Sequence, residues 1–203
     1  GIIEKTGLPV QSHLSENPEE IAWVKELCPD CPTYGDVYDK YGMLSASSIM
    51  AHCVHLTERE INLLKDRGAF VAHCPESNMN LASGIAPVSR LLHEGINVGL
   101  GSDVAGGTTL SIPAAMTLAV QNSKIYWRYI DNKYPPLRLE NVFYLATEGA
   151  GKFFGKAGSF KNGYEFDALV LDDSNIKTTV DFSVRERLER LIYLGGRSNI
   201  VSK

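Results

Sequence analysis

The 203-residue chain has no apolar run approaching the roughly 20 residues that a membrane-spanning helix needs. It has no block of like charge either. Twenty Lys and Arg against 24 Asp and Glu leave a formal net charge of −4, and the basic residues are scattered, so nothing marks a nucleic-acid partner. Cysteine is scarce. Cys28, Cys31, Cys53 and Cys74 are too few for a disulfide framework in a domain of this size and read as reduced thiols in a cytoplasmic setting. No internal repeat and no low-complexity segment interrupts the chain. A His-x-His pair is also missing, although a catalytic zinc normally takes three protein ligands plus a water. What remains, 44% hydrophobic and 22% charged, is an ordinary globular composition with enough length to bury a core. The opening Gly1-Ile2-Ile3-Glu4-Lys5 has neither an initiator Met nor a signal-peptide pattern and reads as the tail of a helix. The expectation is that the 203 residues are part of a longer chain, and that this segment alone is inactive.

Apolar runs and turn signals predict strands at 10–13, 49–52, 69–74 and 96–100. Between them fall amphipathic helices at 18–27, 57–67 and 87–93, with further helices at 111–132, 139–145 and 183–194. Asn17 with Pro18 reads as a helix N-cap and N1, and Thr57 with Glu60 as a capping box closed by Gly68. Residues 28–44 read as a loop-rich connection, and 158–171 as a turn-rich hairpin ending in an apolar strand. Alternating strands and helices indicate a parallel α/β sheet, and four such units read as the second half of a (β/α)8 barrel. The expected organisation is a partial barrel over 1–154, a return segment toward a small β-sandwich over 155–175, and a C-terminal helix and tail over 176–203.

In such a fold the carboxyl ends of the strands carry the chemistry. Three ends deliver a polar side chain: His13, His52 and, after the fourth strand, Asp103. His13 reads as a metal ligand through neutral imidazole or as a buried polar histidine. Glu16, one turn on, suits a proton shuttle beside a metal, or an exposed position ahead of a helix. His52 reads as a ligand, as a stabiliser of developing charge, or as a core residue, while His55 belongs to the loop that follows. Asp103 lies among Gly99, Gly101, Gly106 and Gly107, where the backbone can approach a ligand closely; a helix N-cap is the alternative. Asn78 or Ser77 reads as a hydrogen-bonding link between loops, and His93 as a partner of a helix C-terminus. Cys28-Pro29-Asp30-Cys31 lacks the preceding proline and the second pair that a zinc site of either common kind would need.

Four motifs stand in order: Gln11-Ser12-His13-Leu14-Ser15-Glu16-Asn17, Met50-Ala51-His52, Ala72-His73-Cys74-Pro75-Glu76-Ser77-Asn78, and Gly101-Ser102-Asp103-Val104-Ala105-Gly106-Gly107. Together they resemble the amidohydrolase superfamily and, within it, the guanine deaminase family. The resemblance implies one zinc ion per subunit in a distorted (β/α)8 barrel, with His13 and Asp103 as ligands and the others supplied by a His-x-His motif that this chain does not contain. It implies Glu16, His52 and Asp103 as catalytic residues, and His13, Glu16 and Asp103 as those meeting the substrate. The reaction implied is hydrolysis of guanine to xanthine and ammonia, a step of purine catabolism, in a cytoplasmic homodimer with no nucleic-acid or membrane partner. Adenosine-type deaminases, triazine hydrolases and a non-catalytic amidohydrolase-like scaffold are the alternatives.

Overall fold

The structure, a computed structural model, describes residues 2–202. A short helix α1 (Ile2–Thr6) leads into β1 (Val10–Leu14), as the helical reading of the N-terminus expects, with Gly1 outside the described residues. Then follow α2 (Pro18–Leu27), α3 (Tyr34–Lys40), β2 (Ser48–His52), α4 (Glu58–Arg67), β3 (Phe70–His73), α5 (Pro75–Asn80), α6 (Val88–His93), β4 (Asn97–Leu100), α7 (Ile112–Tyr129) and α8 (Leu139–Tyr144). Four strands make one all-parallel sheet in the order β1-β2-β3-β4. Parallel crossovers are right-handed, so an order that never reverses puts the helices on one face and curls the sheet as an arc of a barrel. A doubly wound sheet reverses its order instead.

Local chemistry sets most element boundaries. The Asn17 side chain accepts the Glu20 amide at 2.9 Å, and Pro18 opens α2. Thr57 and Glu60 cap α4 reciprocally, and Gly68 ends it in the left-handed conformation (φ 66°) that glycine adopts without a Cβ clash. Leu14, Met50, Val71 and Val98 from the strands meet Ile61, Leu64, Leu91, Val120, Val142 and Leu145 from the helices in one core. Truncating a fully buried member such as Leu64 to Ala costs about 2–5 kcal/mol.

The structure departs from expectation in four places. Residues 28–44 contain α3, capped by Thr33 and Asp36. Its seven residues are too few for a clear helical period among the flanking Pro and Gly. The six-residue α5 opens on Pro75 and escaped for the same reason. The segment 158–169 forms no hairpin. Instead β5 (Val170–Leu171) pairs antiparallel with β6 (Ile200–Ser202), beyond α9 (Val184–Leu194). In α9, Leu191 and Ile192 are buried and Leu188 packs against the core, but Val184 is 80% exposed and lies off the contact. Among the described residues no helix is long and apolar enough to cross a membrane.

Candidate active site

The chain leaves β1 and β2, and enters the loop after β4, through left-handed residues that are not glycine. Ser15 has φ 48°, His52 φ 70°, Cys53 φ 50° and Asp103 φ 45°. This conformation costs an L-residue roughly 1–2 kcal/mol, and such outliers gather where side chains must be aimed. His13 sits one residue before the end of β1, His52 ends β2, and Asp103 follows β4. The parallel register sets His13 opposite Ala51, so the His13 and His52 rings meet edge to face with centroids 5.0 Å apart.

All four side chains singled out from the sequence converge at this edge. His52 Nε2 lies 3.5 Å from Glu16 Oε2 and 3.9 Å from Asp103 Oδ2. Two overlapping donor groups result: His13, Glu16 and His52, and His52, Cys74 and Asp103, each with its atoms within 4.8 Å of one another. Imidazole, carboxylate and thiol donors at this spacing suit zinc. Cys74 is the member that sequence reasoning passed over. Burial, with the Asp103 charge beside it, pushes its thiol up to about 12.

The surroundings hold these groups in place. Asn78 Oδ1 pairs with His52 Nδ1 at 2.8 Å, which bears out the linking role expected of Asn78, and the Ser83 hydroxyl donates to Glu16 Oε1 at 2.9 Å. The Tyr38 hydroxyl donates to the His13 carbonyl at 2.9 Å, and Glu20 accepts the Glu16 amide at 3.1 Å. Around Asp103, a Cβ on Gly107 would overlap the Ser102 carbonyl, so that position needs glycine, and one on Gly106 would displace the Ser77 hydroxyl. His73 is buried with Nδ1 unpartnered, and burial together with nearby His52 pushes it down to about 4. The other candidates lie apart from the donor groups. His55 Nε2 pairs with the Ser83 carbonyl at 2.7 Å, His93 packs on Tyr134, and Cys28 and Cys31 are free thiols at the end of α2.

The model of the amidohydrolase family matches residues 2–198. The chain is 44% identical over 174 residues to the probable guanine deaminase of Schizosaccharomyces pombe, covering 84% of this chain and 33% of that one. Guanine deaminase from C. acetobutylicum, solved with guanine in its active site, superposes with a TM-score of 0.94 at 50% identity over 98% of this chain and 48% of its own. An adenosine deaminase from Xanthomonas campestris with bound zinc superposes with a TM-score of 0.83 at 28% identity, over 98% of this chain and 44% of its own. The chain thus spans half or less of the length of these relatives. With an unreversed parallel sheet, strand-end His13, His52 and Asp103 converging at its carboxyl edge, and a family match over nearly its whole length, the chain belongs to the amidohydrolase family.

Proposed function

We propose that this chain carries part of the active site of a zinc-dependent hydrolase that converts guanine to xanthine and ammonia. The observation that carries the proposal is the convergence of His13, Glu16, His52 and Asp103 at one sheet edge. The similarity to guanine deaminases supports the choice of substrate.

His13 and Asp103 would hold the zinc, with the remaining ligands from a His-x-His motif that the 203 residues do not contain. When bound, zinc supplies the Lewis acidity that makes water a nucleophile at neutral pH. Asp103 would serve as the base that accepts a proton from the attacking water. Glu16 stands 3.5 Å from His52 Nε2 and would move protons to the purine ring nitrogen and the departing amine, which leaves poorly unless protonated. His52 orients the attacked amidine carbon and stabilises the charge that develops there. His13, Glu16 and Asp103 also meet the substrate. In this reading 1–154 is barrel, 155–175 returns toward a small β-sandwich that begins with the β5–β6 pair, and 176–203 is the C-terminal helix and tail. The free thiols support a cytoplasmic location, and the resemblance supports one zinc per subunit of a homodimer acting in purine catabolism.

The likeness to a zinc-bound adenosine deaminase favours a second reading, in which a purine nucleoside is deaminated. Steady-state assays of the full-length protein on guanine, adenosine and a chlorotriazine decide between them. Xanthine and ammonia from guanine at the highest kcat/KM are expected. Faster turnover of adenosine or the triazine overturns the guanine assignment.

A further inference from the structure

Glu60 caps α4, as its spacing from Thr57 predicts, yet that accounts for only one of its two carboxylate oxygens. Oε2 accepts the Thr57 amide and hydroxyl, both at 2.8 Å. Oε1 accepts the Ser15 hydroxyl at 2.9 Å and the Gly35 amide at 3.1 Å. The side chain lies in the interior, with Glu60 2% and Ser15 0% exposed. A helix cap alone needs no such burial, and removing a carboxylate from water is costly unless its lone pairs are met. Here all four contacts are supplied, one of them from 45 residues away.

Ser15 is the residue through which this arrangement reaches the active site. It stands between His13 and Glu16 in the left-handed conformation at φ 48°. Its carbonyl is engaged too, accepting the Val54 amide at 3.2 Å and the His55 amide at 3.0 Å. Gly35 fits the same arrangement, since a Cβ there would come within 3.0 Å of Glu60 Cγ. The strained residue is therefore held at its hydroxyl by α4 and at its carbonyl by the loop after β2. The next side chain along, Glu16, reaches Ser83 and stands 3.5 Å from His52.

We propose that Glu60 is a positioning residue for the deamination chemistry: through the Ser15 hydroxyl it holds the His13–Glu16 turn so that the Glu16 carboxylate faces His52. This rests on the function proposed above. Glu60 belongs to neither donor group. Its effect falls mainly on the step in which Glu16 moves protons, so kcat falls by more than KM rises, while His13, inside β1 and held by Tyr38, keeps its place and zinc content holds.

The test uses the full-length, zinc-loaded protein and three variants. Ser15→Ala removes the linking hydroxyl and leaves the α4 cap intact. Glu60→Gln keeps the volume but turns an amide NH2 toward a donor. Thr57→Ala weakens the cap without touching Ser15. Ser15→Ala and Glu60→Gln are expected to lower kcat on guanine on the order of 10- to 100-fold, with a smaller change in KM and bound zinc unchanged. Thr57→Ala is expected to lower Tm and leave kcat within about twofold. Crystal structures are expected to show the Glu16–His52 separation opening in Ser15→Ala alone among the two non-Glu60 variants. Wild-type turnover with Ser15→Ala equally active and unchanged in that separation overturns the inference and leaves the functional reading standing. So does a Thr57→Ala variant that loses as much kcat as Ser15→Ala. A wild type without guanine turnover overturns the functional reading, and this inference with it.

Discussion

Asn78 Oδ1 meets His52 Nδ1 at 2.8 Å, and both side chains are buried. An amide oxygen can only accept, so in this contact Nδ1 carries the proton, and Nε2 faces Glu16 and Asp103. Asn78→Ala frees the ring. In the full-length protein it should lower kcat/KM on the order of 10- to 100-fold with zinc retained, as loss of an orienting partner does. Steady-state kinetics with metal analysis checks this, and unchanged kinetics would remove Asn78 from the site.

Glu16→Gln keeps the size of the side chain and its contact with Ser83, but a Gln side chain cannot carry a proton. Turnover of guanine should fall on the order of 10²- to 10⁴-fold with zinc content unchanged. Near-normal turnover by the zinc-loaded variant would falsify the shuttle role.

The loop bearing Asp103 depends on glycine for space. The Gly107 amide donates to the Asp103 carbonyl at 2.6 Å, and an added Cβ would overlap the Ser102 carbonyl and stand 3.2 Å from Glu76 Oε2. Gly107→Ala should displace Asp103, weaken zinc retention against a chelator and lower kcat, at a stability cost of about 1–3 kcal/mol. A variant that keeps both metal and rate would show that the loop accommodates the methyl group.

Acid should destabilise the fold in two windows. Burial, then nearby His52, pushes His73 down from 6.5 to about 4. A folded-state value below the unfolded one means that the unfolded chain binds more protons in between, so this stability is full above about 6.5 and is lost as pH falls toward 4. The Arg59 guanidinium, bonded to Asp36 at 2.7–3.0 Å, holds that carboxyl at about 2 against an ordinary 3.8. Its contribution is present above 3.8 and is lost as pH falls toward 2. Tm measured against pH should show His73→Gln flattening only the upper window and Asp36→Asn only the lower. A pH profile unchanged in either variant would assign the acid loss to other groups.

The contacts legible in the sequence are those closed within one helical turn. Asn17 with Glu20 and Thr57 with Glu60 each span three residues and stand before a clear helical period, so spacing and residue type placed these two caps. The strand ends carrying His13 and His52 were legible because a short apolar run followed by a turn signal is also local. Helices α3 and α5 were not, being too short for a period to stand out. The expected hairpin at 158–171 failed because the partner of Val170–Leu171 arrives only at Ile200–Ser202, beyond a helix.

By itself the sequence determined the alternation of strands and helices, their caps, and the four residues that would carry chemistry, because each follows from side-chain type and short-range spacing. Only the tertiary structure decided how those residues meet. Ser15 reaches Glu60 across 45 residues, His52 reaches Asn78 across 26, and Glu16 reaches Ser83 across 67. These distances are set by the parallel register of β1 to β4 and by left-handed turns at Ser15, His52 and Asp103, which a linear pattern of residues does not encode. The same register brought Cys74 beside His52 and Asp103 and set the helix-capping Glu60 against the Ser15 hydroxyl.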